Sequence, residues 1–138
     1  ALASVMVMGM MVVGASAAFN DQAEINALNV NAVNTMVSLK IISGKEGGNF
    51  DPKGNVTRAE MATMIAMALN GGNADFRGTT TTGFTDVDGV KHWAAKFIKY
   101  CVDQGILSGV GGGKFNPETY VTAQEAATMV LTAMGYKK

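Results

Sequence analysis

With one cysteine, one histidine, one tryptophan and two prolines among 138 residues, the chain holds few of the side chains from which disulfides, metal centres and rigid turns are made. Cys101 has no partner for an internal bridge, and its place on an apolar helical stripe reads as a buried thiol. His92 has no second His or Cys at ligand spacing, which argues against a zinc site. Net charge is missing too: 11 Lys and Arg balance 11 Asp and Glu, so no long-range field gathers a polyanion and nucleic acid is not an expected partner. Catalysis needs a nucleophile with its base, a tuned carboxylate pair or a metal. Glu60 and Glu125 are the pair that invites sugar hydrolysis, but each is accounted for by its own helix start, so neither an enzyme nor a cofactor is expected.

What the chain has in quantity is glycine, 17 residues, and apolar side chains, 48% of the total. Part of the apolar share lies in residues 1–18, ALASVMVMGMMVVGASAA, an uncharged run ending in small residues. It reads as the hydrophobic core and cleavage site of a secretory signal peptide, with a membrane span as the competing reading and export as the consequence. No initiator Met and no basic segment precede it, so the sequence is expected to begin inside its reading frame.

From Phe19 onward the chain repeats at an offset of 65 residues, with 17 identities over the 53 positions from Phe19 to Gly71 and no gap. The offset superposes Phe19 on Phe84, Asp21 on Asp86, Ser43-Gly44 on Ser108-Gly109, Phe50 on Phe115, Pro52 on Pro117, and Thr57 and Glu60 on Thr122 and Glu125. These are turn and cap positions, where backbone geometry decides. Two copies of one supersecondary unit follow, 19–71 and 84–136. The stretch 72–83 between them is rich in Gly and Thr and reads as a flexible linker or a long surface connection.

Each unit predicts helix, glycine turn, aromatic anchor, helix, which makes the fold class mainly α. In the second copy Ala94, Phe97, Ile98, Cys101 and Val102 lie on one helical face that ends at Gly105. The first copy keeps a weaker stripe in Leu28, Ala32, Val33, Met36 and Val37 among several asparagines. The second helices predict buried stripes at Met61, Met64, Ile65, Ala68 and Leu69, and at Ala126, Met129, Val130, Ala133 and Met134. Asp86-Val87-Asp88-Gly89 resembles the opening of a calcium loop but lacks its later oxygen ligands, so a helix-start role is preferred and no metal is expected. Gly111-Gly112-Gly113-Lys114 is followed by Phe115 where a phosphate loop needs Ser or Thr, and reads as a turn.

The chemistry concentrates at Val56-Thr57-Arg58-Ala59-Glu60. Thr57 and Glu60 have capping-box spacing, with Val56 and Met61 placed for a hydrophobic staple. Arg58 is the odd member, because a cation in the first turn gains nothing from the helix dipole. Joined to free backbone N–H groups, its guanidinium makes a place for a carboxylate or phosphate. The plainer reading is a surface ion pair with Glu60 or Asp51. Trp93 reads either as a stacking surface for a sugar or as a core anchor, and Phe97 four residues on favours the core.

Phe-x-Asp, Trp93-Ala94, Gly105-Ile106 before Gly109, Phe50-x-Pro52 and the Thr57-Arg58-Ala59-Glu60 motif, in this order and spacing, resemble the S-layer homology repeat of bacterial surface proteins. The resemblance implies three repeats packed as a three-pronged pseudo-trimer. It also implies non-covalent binding of a Gram-positive secondary cell-wall polysaccharide, with the ketal carboxylate of a pyruvylated sugar meeting the motif's arginine. On that reading Arg58, Thr57, Glu60 and Trp93 are the ligand residues, and Asp21, Gly44, Phe50, Asp86, Gly109, Phe115, Thr122 and Glu125 carry the structural motif. Ala123 stands where the second copy would need its arginine and Leu28 where the first would need its tryptophan, so a second site of the same chemistry is doubtful. With two copies present, a third repeat or other copies of the protein are expected to complete the packing. The alternative from another class is a lattice-assembly module with no glycan site of its own. A glycan-active enzyme stands behind both.

Overall fold

The computed structural model describes residues 19–78 and 80–136; the expected signal segment, 1–18, lies outside the described residues. Among the described residues the helices are α1 (Val30–Ser38), α2 (Arg58–Leu69), α3 (Thr85–Asp88), α4 (Ala95–Asp103) and α5 (Ala123–Ala133), with single 3-10 turns at Gln22–Glu24 and Glu46–Gly48. Among the described residues β structure is limited to two isolated antiparallel bridges, Thr57 with Tyr120 and Gly111 with Lys114.

Both expected capping boxes form. Thr57 Oγ1 accepts from Glu60 N at 3.1 Å while Glu60 Oε2 accepts from Thr57 N at 2.8 Å, and Thr122 with Glu125 repeats the arrangement at the same distances. Helix ends repeat as well. Ile41 N donates to Met36 O and Ile106 N to Cys101 O, a Schellman closure that needs a left-handed residue one position earlier. That residue is Lys40 in the first copy (φ 59°) and Gly105 in the second (φ 69°).

The aromatic anchors close each first half on its loop. Phe19 packs on Phe50 with ring centres 5.4 Å apart, and Phe84 on Phe115 at 5.5 Å. The Ser-Gly pair lets them in: a Cβ on Gly44 would sit 2.5 Å from the Phe19 ring, and one on Gly109 2.5 Å from that of Phe84. Asp21 and Asp86 then clamp the loops rather than capping helices. The two oxygens of Asp86 accept from Phe115 N (2.9 Å) and Asn116 N (2.8 Å), as those of Asp21 accept from Phe50 N (2.8 Å) and Asp51 N (2.7 Å). Asp88 likewise accepts from Thr82 N and Gly83 N, tying down the end of the connection.

The core is shared out of register with the repeats. The main cluster joins Ala59, Ala62, Ile65 and Ala66 of α2 to Phe97, Ile98 and Cys101 of α4 and Met129 of α5, whereas Phe19, Ile25 and Val33 form a small separate cluster in the first copy. α2 packs chiefly on α4 and less on α5, so the first repeat's second helix is buried by the second repeat. This alters the expected stripes. On α2 Met61 and Ile65 are buried, but Leu69 is 44% exposed and the small Ala59, Ala62 and Ala66 take its place inside, because α2 is covered on more than one side. On α5 only Met129 is buried; Val130 and Met134, expected inside, are 42% and 68% exposed. The α4 stripe is as expected, with Cys101 fully buried and its thiol pushed up to about 12 by desolvation. Within the connection, Phe76 stacks edge-on against Phe97 and Tyr100, an anchor the Gly/Thr composition concealed.

Candidate functional site

Thr57 has extended backbone, so the chain enters α2 alongside residues 119–121. Val121 N donates to Val56 O, Arg58 N to Thr119 O and Ala59 N to Pro117 O, each at 2.9 Å. The first-turn donors expected to hold an anion are therefore occupied by the loop of the other repeat. The Arg58 side chain follows them across. It is 8% exposed, with Nε donating to Phe115 O and Nη2 to Ser108 O, both at 2.9 Å, and its guanidinium carbon 4.6 Å from the centre of the Phe115 ring. Burial pushes its pKa down and the Glu125 carboxylate opposes that, but a guanidinium remains charged throughout. The surface ion pair of the plainer reading, with Glu60 or Asp51, does not form; Lys45 bridges those two carboxylates instead, at 3.8 and 3.1 Å.

Arg58 also lines a groove of about 1070 Å³ that runs between α5 and residues 104–108. The groove's walls carry Ser108, Thr122, Gln124, Glu125, Thr128, Thr132 and Tyr136. Thr128 Oγ1 donates to Gln124 O and Thr132 Oγ1 to Thr128 O, which leaves the hydroxyl lone pairs as acceptors. Ala123 N and Gln124 N, the α5 counterparts of the occupied α2 donors, bond to no described residue. The wall is thus a ladder of hydroxyl, amide and carboxylate groups with, among the described residues, one cation, Arg58, at its side. Such a surface suits a hydroxylated ligand carrying a carboxylate.

Of the four expected ligand residues, Arg58 alone lines this groove. Thr57 and Glu60 serve the α2 cap. Trp93 is 58% exposed rather than in the core: α4 begins at Ala95, so Trp93 precedes the helix and the four-residue spacing to Phe97 does not place them on one face. It lines a separate concavity of about 370 Å³ with Thr80, Lys91, His92 and Lys96. Both His92 nitrogens are engaged, Nδ1 accepting from Ala94 N at 3.1 Å and Nε2 meeting Glu118 Oε1 at 2.7 Å. Among the described residues no cluster of His, Cys, Asp or Glu suits a metal ion. Gln124, Thr128 and Thr132 were not anticipated as groove residues, although their polar recurrence every four residues along α5 was available as a signal.

The S-layer homology domain model matches residues 18–62 and 83–127, one stretch in each copy. The chain belongs to the S-layer homology family. Its similarity to known members is broad. Cell surface glycoprotein 1 of Acetivibrio thermocellus is 36% identical over 90 residues, which is 65% of this chain and 4% of that protein. The cellulosome-anchoring protein of the same organism is 35% identical over 88 residues, 64% of the chain and 20% of the relative. The surface-layer 125 kDa protein of Lysinibacillus sphaericus is 31% identical over 121 residues, 88% of the chain and 10% of the relative. The S-layer homology region here thus spans at most a fifth of the length of these relatives.

Proposed function

We propose that this S-layer homology region anchors an exported bacterial protein to the cell wall. It does so by binding an anionic secondary cell-wall polysaccharide, pyruvylated polymers included, without catalysis. The observation that carries the reading is the groove beside α5, where Arg58 of the first repeat arrives next to the polar ladder of the second. Sugar hydroxyls would meet Gln124, Thr128 and Thr132, and a ketal carboxylate would meet the guanidinium edge that the two carbonyls leave unused. The names of the relatives, which include surface-layer, cell-surface and cellulosome-anchoring proteins, support the same reading. Glu125 beside Arg58 favours a ligand with few charges per sugar over a dense polyanion, since a second carboxylate would face it directly. Trp93 belongs to a different concavity, so in this reading it is dispensable.

The test is retention on purified Gram-positive sacculi before and after the wall polysaccharide is stripped. The parent should be retained and released by stripping. Gln124→Ala and Thr128→Val should weaken retention at unchanged melting temperature, and Trp93→Ala should not. Equal retention by the groove variants would sink the assignment of this groove.

A further inference from the structure

Trp93 and its neighbours belong neither to the core nor to the groove beside α5. The exposed indole stands with its ring centre 5.5 Å from that of His92 and the two planes 33° apart, so the pair forms one shallow aromatic floor. This floor lines the concavity of about 370 Å³ whose walls include Thr80, Lys91 and Lys96, a volume within the range of small-molecule sites. Lys96 Nζ donates to Ala74 O at 3.1 Å and lies 4.8 Å from the centre of the Phe97 ring, which fixes the ammonium and leaves it two further N–H donors. Lys91 is exposed and belongs to none of the ion pairs among the described residues. Its backbone is left-handed, φ 51°, where the chain leaves α3 and His92 N donates to Val87 O, a position that glycine ordinarily fills. Asp88, the carboxylate among the described walls, is turned to the connection, where it accepts from Thr82 N, Thr82 Oγ1 and Gly83 N. The repeat does not require this set. By the 65-residue offset Lys91, His92, Trp93 and Lys96 fall on Asn26, Ala27, Leu28 and Asn31, so both rings and both charges occur together in one copy and are all missing from the other.

We propose that this concavity is a second binding site, which takes a hexose phosphate with its sugar ring on Trp93 and its phosphate against Lys91 and Lys96. An exposed indole offers a flat apolar face on which the C–H face of a pyranose can lie. Ammonium groups act as point charges and suit a phosphate, whereas the planar fork of Arg58 suits a carboxylate. The site stands independently of the glycan groove, with which it shares no lining residue. Both lysines reach water, so the charged contact is screened by salt. A ligand held here does not anchor the chain, and Trp93→Ala leaves retention on sacculi intact while removing this site.

Trp93 is the single tryptophan, so its emission reports on the site directly. The full chain is titrated with glucose 6-phosphate, beside glucose, inorganic phosphate and glucuronate. Expected is a saturable change in emission with glucose 6-phosphate that weakens as salt is added, at an apparent affinity about tenfold or more above that for glucose or inorganic phosphate alone. Lys91→Gly is the decisive variant, because it removes the charge and relieves the left-handed backbone together: melting temperature should not fall, and affinity should drop by about fivefold or more. Lys96→Gln should weaken binding as well, and Gln124→Ala, in the groove, should leave the titration unchanged. Trp93→Leu, which installs the residue of the first copy, should abolish the binding seen by calorimetry. A folded parent with no saturable response would overturn the proposal, as would an equal response to inorganic phosphate, a preference for glucuronate, or binding indifferent to Lys91→Gly.

Discussion

At the scale of single residues, Arg58 is a structural brace as well as a proposed ligand residue, and a binding assay alone would confuse the two. Its two bonds to Ser108 O and Phe115 O are charge-assisted and nearly dry, and they fasten the loop of one repeat to the helix of the other. Arg58→Ala is therefore expected to lower stability by about 2–4 kcal/mol in urea unfolding, whatever it does to ligand retention. Arg58→Lys should recover little of that, because a single ammonium cannot reproduce the fork between two carbonyls. The aspartate clamps are the other residues on which the loops depend. For Asp86 desolvation raises the pKa, but the N–H bonds from Phe115 and Asn116 outweigh it and the net shift is downward; for Asp21 the bond from Phe50 N is the largest cause of the same net direction. A carboxylate lowered on folding contributes in full above its unfolded pKa of about 3.9 and loses that contribution as pH falls through the folded value. Melting temperature should thus be flat from neutral pH to about 5 and fall below about 4, with Asp86→Asn less stable at neutral pH and less sensitive to acid.

At the scale of elements, the two copies solve the same problems with different residues, and the poorer solution can be replaced by the better. Lys40 closes α1 in the left-handed region at φ 59° where Gly105 closes α4 at φ 69°. A side chain there costs about 1–2 kcal/mol, of which the extra flexibility of unfolded glycine returns part. Lys40→Gly should therefore stabilise the chain by about 0.5–1 kcal/mol, read as an upward shift in melting temperature. Local devices of this kind were legible in the sequence. The capping boxes at Thr57 and Thr122 and the α4 stripe ending at Gly105 each depend on residues a few positions apart, and such spacings survive in a linear string. The loop clamps were half legible: Asp21 and Asp86 stood out by recurrence, but their partners lie 29 and 30 residues away and spacing alone suggested helix starts. Trp93 was misread for a related reason, since helical spacing was applied to a residue that precedes its helix.

At the scale of the whole molecule, the sequence unit and the packing unit are out of phase. Identity at a 65-residue offset marks where each copy begins, but it is blind to which copy a helix packs against, and so the groove flanked by Arg58 and α5 could not be read from the string. α2 leaves its own repeat to pack on α4, while the first half of the first repeat keeps only the small cluster of Phe19, Ile25 and Val33. Cutting the chain between the repeats would therefore split the main core, and cutting ahead of α2 would spare it. A fragment of residues 55–136 retains every buried residue of that core, the Arg58 clamp and the Thr57–Tyr120 bridge. It should melt cooperatively within a few degrees of the full chain. Residues 19–71 and 84–136, the two halves that the repeat boundary suggests, should each show no cooperative transition, because either piece leaves one side of the α2–α4 contact in water. Mixing those halves should restore a transition whose midpoint rises with concentration, since the joint that holds them then becomes bimolecular. If 84–136 alone melts as sharply as 55–136, the core follows the repeat after all, and Arg58 is an accessory to the second repeat rather than its brace.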